Sequence, residues 1–278
     1  MAAAISEIVH EVSFYLALIK NRIFKPALPG DPIPSQISNN GKFTPFFDNC
    51  IGALDGTHIH AVIPVHLQRP FRNRKKLVSQ NVLAVANFDL TYSYALFGWE
   101  GSAHDARVYD DARTKGLPNI LDRYYLGDAV YRLSKCLLTT YGGVRYHVEF
   151  AGYGLGPVIS KELFNLRHSS LRNCVERIFG VTKNRFPILR KMSPYAFDFQ
   201  CDLVQCCFLL HNFIRLNQLY EDEFYQIEAI NNPNVANDED EDEDEDGLNM
   251  QALQIWRNDI ANAMWVQYQL DIAQHNAH

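Results

Sequence analysis

The sequence predicts an α/β fold in which a mixed sheet is flanked by helices, and three observations support this. Three apolar, extended runs follow one another, at Cys50 to Pro64, Asn81 to Asp89 and Tyr92 to Trp99. A helical pattern (Ser102 to Thr114) and a fourth short strand (Tyr124 to Asp128) come next, and the later patterns are helical. This element order is that of an RNase H-like fold, in which the first three strands are antiparallel and the fourth is parallel to the first.

Local patterns support each element at the start of the chain. Ile5 to Ile23 carries apolar residues at helical spacing, and the proline-rich stretch Pro26 to Pro34 ends that helix. The dipeptide Leu90-Thr91 separates the second and third runs, which predicts a hairpin. Ser102 is the predicted N-cap of the next helix, with Asp105 in place of the capping-box glutamate.

The second half of the chain is mostly helical in pattern. Leu133 to Gly156 is rich in Gly and Tyr and reads as irregular. Ser160 to Arg190 is the longest helical region, interrupted at Pro187, and Phe199 to Leu219 is a further apolar helix. Gln251 to Leu270 has the pattern of a terminal amphipathic helix.

Composition suits one large domain with appendages. Of the 278 residues, 47% are hydrophobic and 12% aromatic, which is enough for an extensive core. We divide the chain into an N-terminal helix and linker (1–45), a sheet domain (46–220) and an acidic, largely disordered tail with room for a terminal helix (221–278).

No apolar run reaches 18 residues, the N-terminus lacks a basic leader, and the six cysteines lack paired C-x-x-C spacing. These features predict an intracellular chain with free thiols.

The charge is divided unevenly along the chain. Asp238 to Asp246 is an unbroken acidic run, and removing its nine negative charges from the net charge of −6 leaves +3 for the remainder. Such runs are usually solvated and disordered, which is the interpretation that we favour. The alternative is a tail that mimics nucleic-acid charge or binds a partner.

Three carboxylates in three different elements are the candidates for chemistry. Asp55 lies inside the first apolar run, where an unpaired carboxylate would be costly. Asp128 ends the fourth strand, and Glu176 lies on the longest helix. Hard divalent cations prefer such oxygen ligands, and two ions about 3.5–4 Å apart can activate water against a phosphodiester. Each residue also has a simpler interpretation: Asp55 in a turn, Asp128 as a helix cap and Glu176 as a surface acid.

At these residues the sequence resembles PIF/Harbinger-type transposases and the host nucleases derived from them. The resemblance runs from about Phe46 to Arg215. It rests on the stretches I-G-A-L-D-G-T-H-I, N-V-L-A-V-A-N-F-D-L, G-W-E-G-S-A-H-D-A-R-V, Y-Y-L-G-D-A-V-Y, R-Y-H, E-L-F-N-L-R-H-S-S-L-R-N-C-V-E-R-I-F-G-V-T-K-N-R-F-P-I-L and C-C-F-L-L-H-N-F-I-R.

The resemblance implies a DDE-type nuclease domain over residues 46–220 that cuts DNA with divalent metal, Mg²⁺ or Mn²⁺, as two ions. Asp55, Asp128 and Glu176 match the first, second and third acids of the triad. It further implies a nuclear protein, with the cytoplasm as a second location, that is recruited by a separate Myb-like DNA-binding protein and can form oligomers. The alternative is a domesticated DNA- or protein-binding module with weak or no activity.

Two features depart from the family pattern. The family reads D-x-G-Y after the fourth strand, whereas this chain has Val130 in place of the glycine, and the segment from Tyr131 to Tyr146 also differs. A β-branched valine does not readily take a positive φ, so this substitution would displace the loop beside Asp128 or be tolerated there. Longer members also carry an upstream helix-turn-helix segment, which we do not find in this chain.

Several other residues are candidates for contact with DNA or for auxiliary roles. A basic cluster follows the first strand and reads either as a phosphate-binding loop or as a solvated one; it includes Arg72, Arg74, Lys75 and Lys76. Arg172 and Lys183 share a helix face with Glu176. For Asp105 we favour a role at the start of its helix over an auxiliary metal or substrate role. His58, His60 and His211 are predicted to be structural.

Overall fold

A computed structural model of the chain describes residues 2–144, 156–217 and 247–275. Its five strands form one mixed sheet in the order β3-β2-β1-β4-β5, flanked by helices. The strands are β1 (Cys50–His60), β2 (Ser79–Ala86), β3 (Tyr92–Glu100), β4 (Tyr124–Gly127) and β5 (Leu137–Thr139). The antiparallel β1-β2-β3 order, with β4 beyond β1, confirms the predicted RNase H-like fold.

Seven α-helices lie in the described part of the chain. They are α1 (Ala2–Leu18), α2 (Lys20–Ile23), α3 (Ser35–Ser38), α4 (Asp105–Thr114), α5 (Ser160–Arg185), α6 (Phe197–Leu216) and α7 (Gly247–His275). Short 3₁₀ helices occur at Val65–Leu67 and Pro187–Leu189, the second where the proline ends α5. None of the described helices is both long and apolar enough to cross a membrane.

Strand register assigns side chains to the two faces of the sheet. Asp55 pairs with Ala84 and Gly56 with Leu83, and side chains alternate between faces along a strand. Asp55 therefore shares its face with Ala53. Ala53 pairs with Ala86 on β2, and Ala86 pairs in turn with Tyr92 on β3, so all of these lie on one face. Gly56 lies on the other face together with Leu54. Leu54 pairs with Val85 on β2, and Val85 pairs with Tyr94 on β3.

The chain divides into two compact units. The first comprises Met1–Leu28, Ala53–Pro118 and Cys174–Ile230. Within it, α5 and α6 cover the Asp55 face: the Tyr92 ring stacks on Phe208 at 4.3 Å, and its hydroxyl lies 2.9 Å from Thr182 Oγ1. On the Gly56 face the hydroxyl of Tyr94 donates to the carbonyl of Ala112, so α4 covers that face.

The second unit comprises Pro29–Gly52, Asn119–Asn173 and Asn231–His278. In it α7 packs beside β5 through Arg257, which donates to the carbonyls of Thr139 and Thr140 and lies 4.1 Å from the ring centroid of Tyr141. The hydroxyl of Tyr141 also donates to Asn258 Oδ1 at 2.8 Å. The terminal helix is thus held by specific polar contacts within this unit.

Several element boundaries differ from those predicted. The helix after β3 begins at Asp105, with His104 as N-cap and no side-chain cap bond, so the prediction of Ser102 as N-cap is wrong. β5 lies inside the stretch predicted to be irregular, and α7 extends beyond the predicted helix at both ends. The acidic run Asp238 to Asp246 lies outside the described residues.

Candidate active site

Asp55 is half-buried near the middle of β1, in the first unit. Its Oδ1 accepts a hydrogen bond of 2.8 Å from the backbone N–H of Gly56. Since β1 continues in unbroken register through this position, the interpretation of Asp55-Gly56 as a hairpin turn is wrong. The carboxylate instead projects from a central strand, toward the face that α5 and α6 cover.

Glu176 lies on α5, also in the first unit, and is half-buried beside the core residues Val175 and Ile178. Two helical turns further on, Lys183 Nζ donates to Thr57 Oγ1 at 2.7 Å and to the carbonyl of His58 at 3.1 Å. Thr57 shares a strand face with Asp55. The stripe of α5 that carries Glu176 and Lys183 therefore runs along the Asp55 face of β1.

Asp128 belongs to the second unit, directly after β4, and is half-buried. Its Oδ1 accepts from the N–H of Val130 at 3.0 Å, and its carbonyl accepts from the N–H of Tyr131 at 3.3 Å. This is an Asx-type turn, which fixes the direction of the carboxylate. Val130 is not among the described non-glycine residues with positive φ, so this backbone does not require a glycine there.

Asp105 does not cap α4; it contacts β2 instead. Its Oδ1 accepts from Asn81 Nδ2 at 2.7 Å, and a Cβ added to Gly56 would lie 2.4 Å from the same oxygen. Burial raises the pKa of Asp105, the bond from Asn81 opposes this, and the charge of Asp55 raises the pKa further. Asp105 therefore lies against β1 from the α4 side.

Asn81 was not among the residues singled out from the sequence. It is 1% exposed, and its Oδ1 is a buried acceptor without a partner in the described structure. A Cβ added to Gly56 would lie 3.2 Å from this oxygen, so Asn81 and Asp105 approach Gly56 together. The sequence signal was the polar start of β2, Ser79 to Asn81, ahead of its apolar remainder, since a buried polar group needs a specific role.

Among the described residues, no group of three His, Cys, Asp or Glu side chains is arranged to hold a metal ion. The structure places Asp55 and Glu176 in the first unit and Asp128 in the second. All three side chains are half-buried, and each makes further interactions.

The basic cluster forms an ordered, exposed loop. Asn73 is buried and organises it, because its Oδ1 accepts from the N–H groups of Lys75 and Leu77. Arg72 donates to Gln68 Oε1 and to the carbonyl of Lys76. The side chains of Arg72, Arg74, Lys75 and Lys76 are exposed. Arg172 lies one turn before Glu176 on α5, and Lys183 is half-buried against β1 rather than directed to solvent.

The histidines have structural partners. His211 is fully buried: Arg185 donates to its Nδ1 at 2.9 Å, and its Nε2 then carries the proton that it donates to the carbonyl of Leu90 at 3.0 Å. His58 Nδ1 lies 3.2 Å from Ser79 Oγ, and His60 Nδ1 accepts from the N–H of Met192. These contacts agree with the prediction that the three histidines are structural.

The profile of one protein family, described as DDE superfamily endonuclease, matches residues 54–212. This range contains Asp55, Asp128 and Glu176, together with the basic loop. No curated protein and no solved structure matches the chain.

Proposed function

Because the chain belongs to the DDE superfamily endonuclease family, we propose that it cleaves DNA phosphodiesters with divalent metal, using Asp55, Asp128 and Glu176. The observation that carries this proposal is the match over residues 54–212, which includes the three acids in the order of the triad. Within the superfamily we propose the PIF/Harbinger-type branch, on the sequence stretches quoted above.

The chemistry of the three side chains fits Mg²⁺ or Mn²⁺. All are carboxylates, which hard cations prefer, and none is a soft sulfur ligand. Each of the three side chains is only half-buried, so solvent reaches it and there is room for the waters that a bound Mg²⁺ retains. When bound, two such ions would lower the pKa of a water and stabilise the leaving oxygen.

The chain's own residues would position the substrate and support these ligands. In the cleavage, a water oxygen attacks phosphorus, one P–O ester bond breaks, and the leaving oxygen takes up a proton. Lys183 joins α5 to β1 two residues from Asp55, and this contact would help to hold Glu176 and Asp55 in position. The exposed basic loop and Arg172 would neutralise phosphates of the bound strand.

A second candidate function is a domesticated DNA- or protein-binding module that no longer cuts. The observation that favours it is that the described residues contain no ready-made cluster of three metal ligands. It shares the fold and the basic loop with the first candidate, and in its DNA-binding form only catalysis separates the two.

Nicking of supercoiled plasmid tests the proposal. We expect wild-type protein to convert supercoiled to open-circular DNA with Mg²⁺ or Mn²⁺ and not with EDTA. Protein that binds the plasmid with salt-sensitive affinity yet leaves it uncut with either metal would favour the binding module. Repeating the assay with nuclear extract tests for the proposed recruiting partner, a separate Myb-like protein. Measuring the mass of the protein in solution tests whether it forms oligomers.

A further inference from the structure

A polar cavity of about 630 Å³ lies in the first unit, beside the end of β3 and the start of α4. This volume is within the range of small-ligand sites. The described lining combines one indole with three basic side chains and a single carboxylate: Trp99, His104, Arg107, Lys115 and Glu100. None of these residues belongs to the proposed triad.

A β-bulge turns Trp99 toward this cavity. Asn81 pairs with Trp99 whereas Leu83 pairs with Leu96, so β3 carries one extra residue at this point. Gly98 absorbs the irregularity with a φ of +89°, a conformation that favours glycine. Bulges of this kind re-aim side chains and recur next to functional sites.

The indole is held in a fixed orientation at its edge. Trp99 Nε1 donates to Asp111 Oδ2 at 2.8 Å, and Lys115 Nζ lies 2.8 Å from the same oxygen. The hydrogen bond from Lys115 lowers the pKa of Asp111, which keeps the acceptor ionised. A ring fixed at its edge presents a preorganised face for stacking, at a small entropic cost on binding.

Arg107 adds a cation over the ring. Its guanidinium carbon lies 5.4 Å from the centroid of Trp99, and its side chain is exposed. A cation at this distance lies within cation–π range and adds positive charge beside the indole. Among the described residues no carboxylate forms an ion pair with Arg107.

The cavity adjoins the exposed basic loop. Pro70, at the start of that loop, lines the cavity, and its carbonyl accepts from the N–H of Ser102 at 3.0 Å. Arg74, Lys75 and Lys76 follow within the same loop and are exposed. An aromatic face beside a row of cations is the arrangement by which proteins stack bases and hold the sugar-phosphate backbone of single strands.

Strand register places the cavity near β1. Trp99 pairs with Asn81, which pairs with His58, so Trp99 lies two strand spacings, about 10 Å, from the backbone of β1. His58 shares the Gly56 face of β1, so the cavity lies on the α4 side of the sheet, opposite the face that carries Asp55. Because Pro70, at the start of the basic loop, lines the cavity, a strand whose phosphates contact that loop can also place a base at Trp99.

We propose that this cavity binds one unpaired base of single-stranded DNA, stacked on Trp99 with its neighbouring phosphates on the basic loop. This deepens the proposed function, because it assigns the cavity to the same nucleic-acid substrate. Glu100 accepts hydrogen bonds, so it would favour a base that offers an exocyclic amino group over thymine.

Binding of fluorescein-labelled oligodeoxycytidylate, measured by anisotropy in EDTA, tests this without any cleavage. Loss of one stacking contact weakens binding about 5-fold to 150-fold, so we expect a loss of that size for Trp99→Leu. Trp99→Phe keeps an aromatic face and should stay within about threefold of wild type. Trp265→Leu, on α7, is the matched control and should bind as wild type does.

Fluorescence quenching provides a second readout that a purely structural role for Trp99 would not change. In Trp256→Phe/Trp265→Phe protein the single remaining tryptophan is Trp99, and saturating oligodeoxycytidylate should quench its emission more than blunt duplex does. Equal affinity of folded Trp99→Leu and Trp265→Leu, with no quenching, would overturn the proposal.

Parallel plasmid nicking separates this inference from the nuclease proposal. If the wild type nicks plasmid while Trp99→Leu binds oligodeoxycytidylate normally, the nuclease assignment stands and the cavity assignment fails. If Trp99→Leu loses binding and Trp99 emission is quenched, while the wild type does not nick, the cavity assignment stands and the nuclease assignment fails.

Discussion

Lys183 Nζ lies 2.7 Å from Thr57 Oγ1, a contact across 126 residues of sequence that joins α5 to β1. Thr57 is two residues from Asp55 on the same strand face, and Lys183 is two helical turns from Glu176. A single ammonium group thus fixes the two elements that carry two of the three proposed ligands. Burial and the positive charge of Arg190 lower the pKa of Lys183 to about 8.

The first prediction follows from this pKa. Between about pH 8 and the ordinary pKa of 10.5, the unfolded chain keeps the Lys183 proton that the folded chain has released, so stability rises with pH across this window. We expect Lys183→Met to lose this rise, which is at most about 1.4 kcal/mol per pH unit for one proton. Urea unfolding of both proteins between about pH 7.5 and 10 measures it. The same slope in both proteins would show that Lys183 is not the group responsible.

Gly56 is predicted to be intolerant of a side chain. A Cβ there would lie 2.4 Å from Asp105 Oδ1 and 2.9 Å from its Cγ, so Gly56→Ala must displace the carboxyl that Asn81 holds. We expect a loss of about 1–3 kcal/mol in the free energy of unfolding. Gly180→Ala on α5 is the matched control: nothing lies within 4 Å of its added Cβ. Because alanine favours a helix more than glycine does, the free energy of unfolding of Gly180→Ala should rise by about 0.5–1 kcal/mol. A harmless Gly56→Ala would contradict the packing described here.

Replacing Val130 with glycine tests whether this departure from the family pattern impairs activity. Since Val130 does not adopt a positive φ and its N–H already bonds Asp128, a glycine offers no conformational advantage. Val130→Gly should lower stability by about 0.4–1 kcal/mol through the freer unfolded chain and leave nicking no faster. Steady-state nicking and thermal unfolding of the two proteins measure both effects. Faster nicking by the glycine variant would mean that the valine does restrain the loop.

The buried His168 is expected to lower the free energy of unfolding in acid. It is fully buried in the second unit, its Nε2 donates to the carbonyl of Leu138 at 2.9 Å, and burial lowers its pKa to about 3. Between this value and 6.5 the unfolded chain takes up a proton that the folded chain does not, so stability falls as pH falls below 6.5. The contribution is about 1.4 kcal/mol per pH unit.

His168→Phe is the variant that isolates this contribution, since it keeps a ring beside Phe47 and Phe164 but cannot titrate. Its unfolding free energy should depend less steeply on pH between about 4 and 6. His211, whose pKa is also about 3, stays in place and serves as the internal reference. An unchanged slope would indicate that the acid response arises elsewhere.

Local patterns predicted most of the sheet because each of its first four strands is a distinct apolar run. The hairpin between β2 and β3 was predicted correctly, but its connection is longer than the predicted Leu90-Thr91: β2 ends at Ala86, and Leu90 within the connection has a φ of +63°. β5 was missed because three residues, Leu137–Thr139, are too few to show a period, and the strand is defined by parallel pairing with β4. Ser102 was mistaken for an N-cap because its side-chain type suits one, whereas the chain turns into α4 two residues later.

The site was predictable only as residue types and their order. Asp55, Asp128 and Glu176 were singled out as carboxylates on β1, after β4 and on α5, and their role as a triad stays a prediction. The contact of Lys183 with Thr57 and the approach of Asp105 to Gly56 depend on long-range packing, which no local pattern encodes. The cavity at Trp99 depends on one extra residue in β3, and such a bulge changes which side a side chain faces without changing its apolar pattern.

The central claim is that three carboxylates make this protein a metal-dependent nuclease, and isosteric replacement of each tests it most directly. Supercoiled plasmid with Mn²⁺ should be nicked by the wild type and by Asp110→Asn, an exposed acid on α4 outside the proposed site. Asp55→Asn, Asp128→Asn and Glu176→Gln, each folded by circular dichroism, should nick no faster than the wild type in EDTA. Nicking by Asp128→Asn at the wild-type rate would contradict the account.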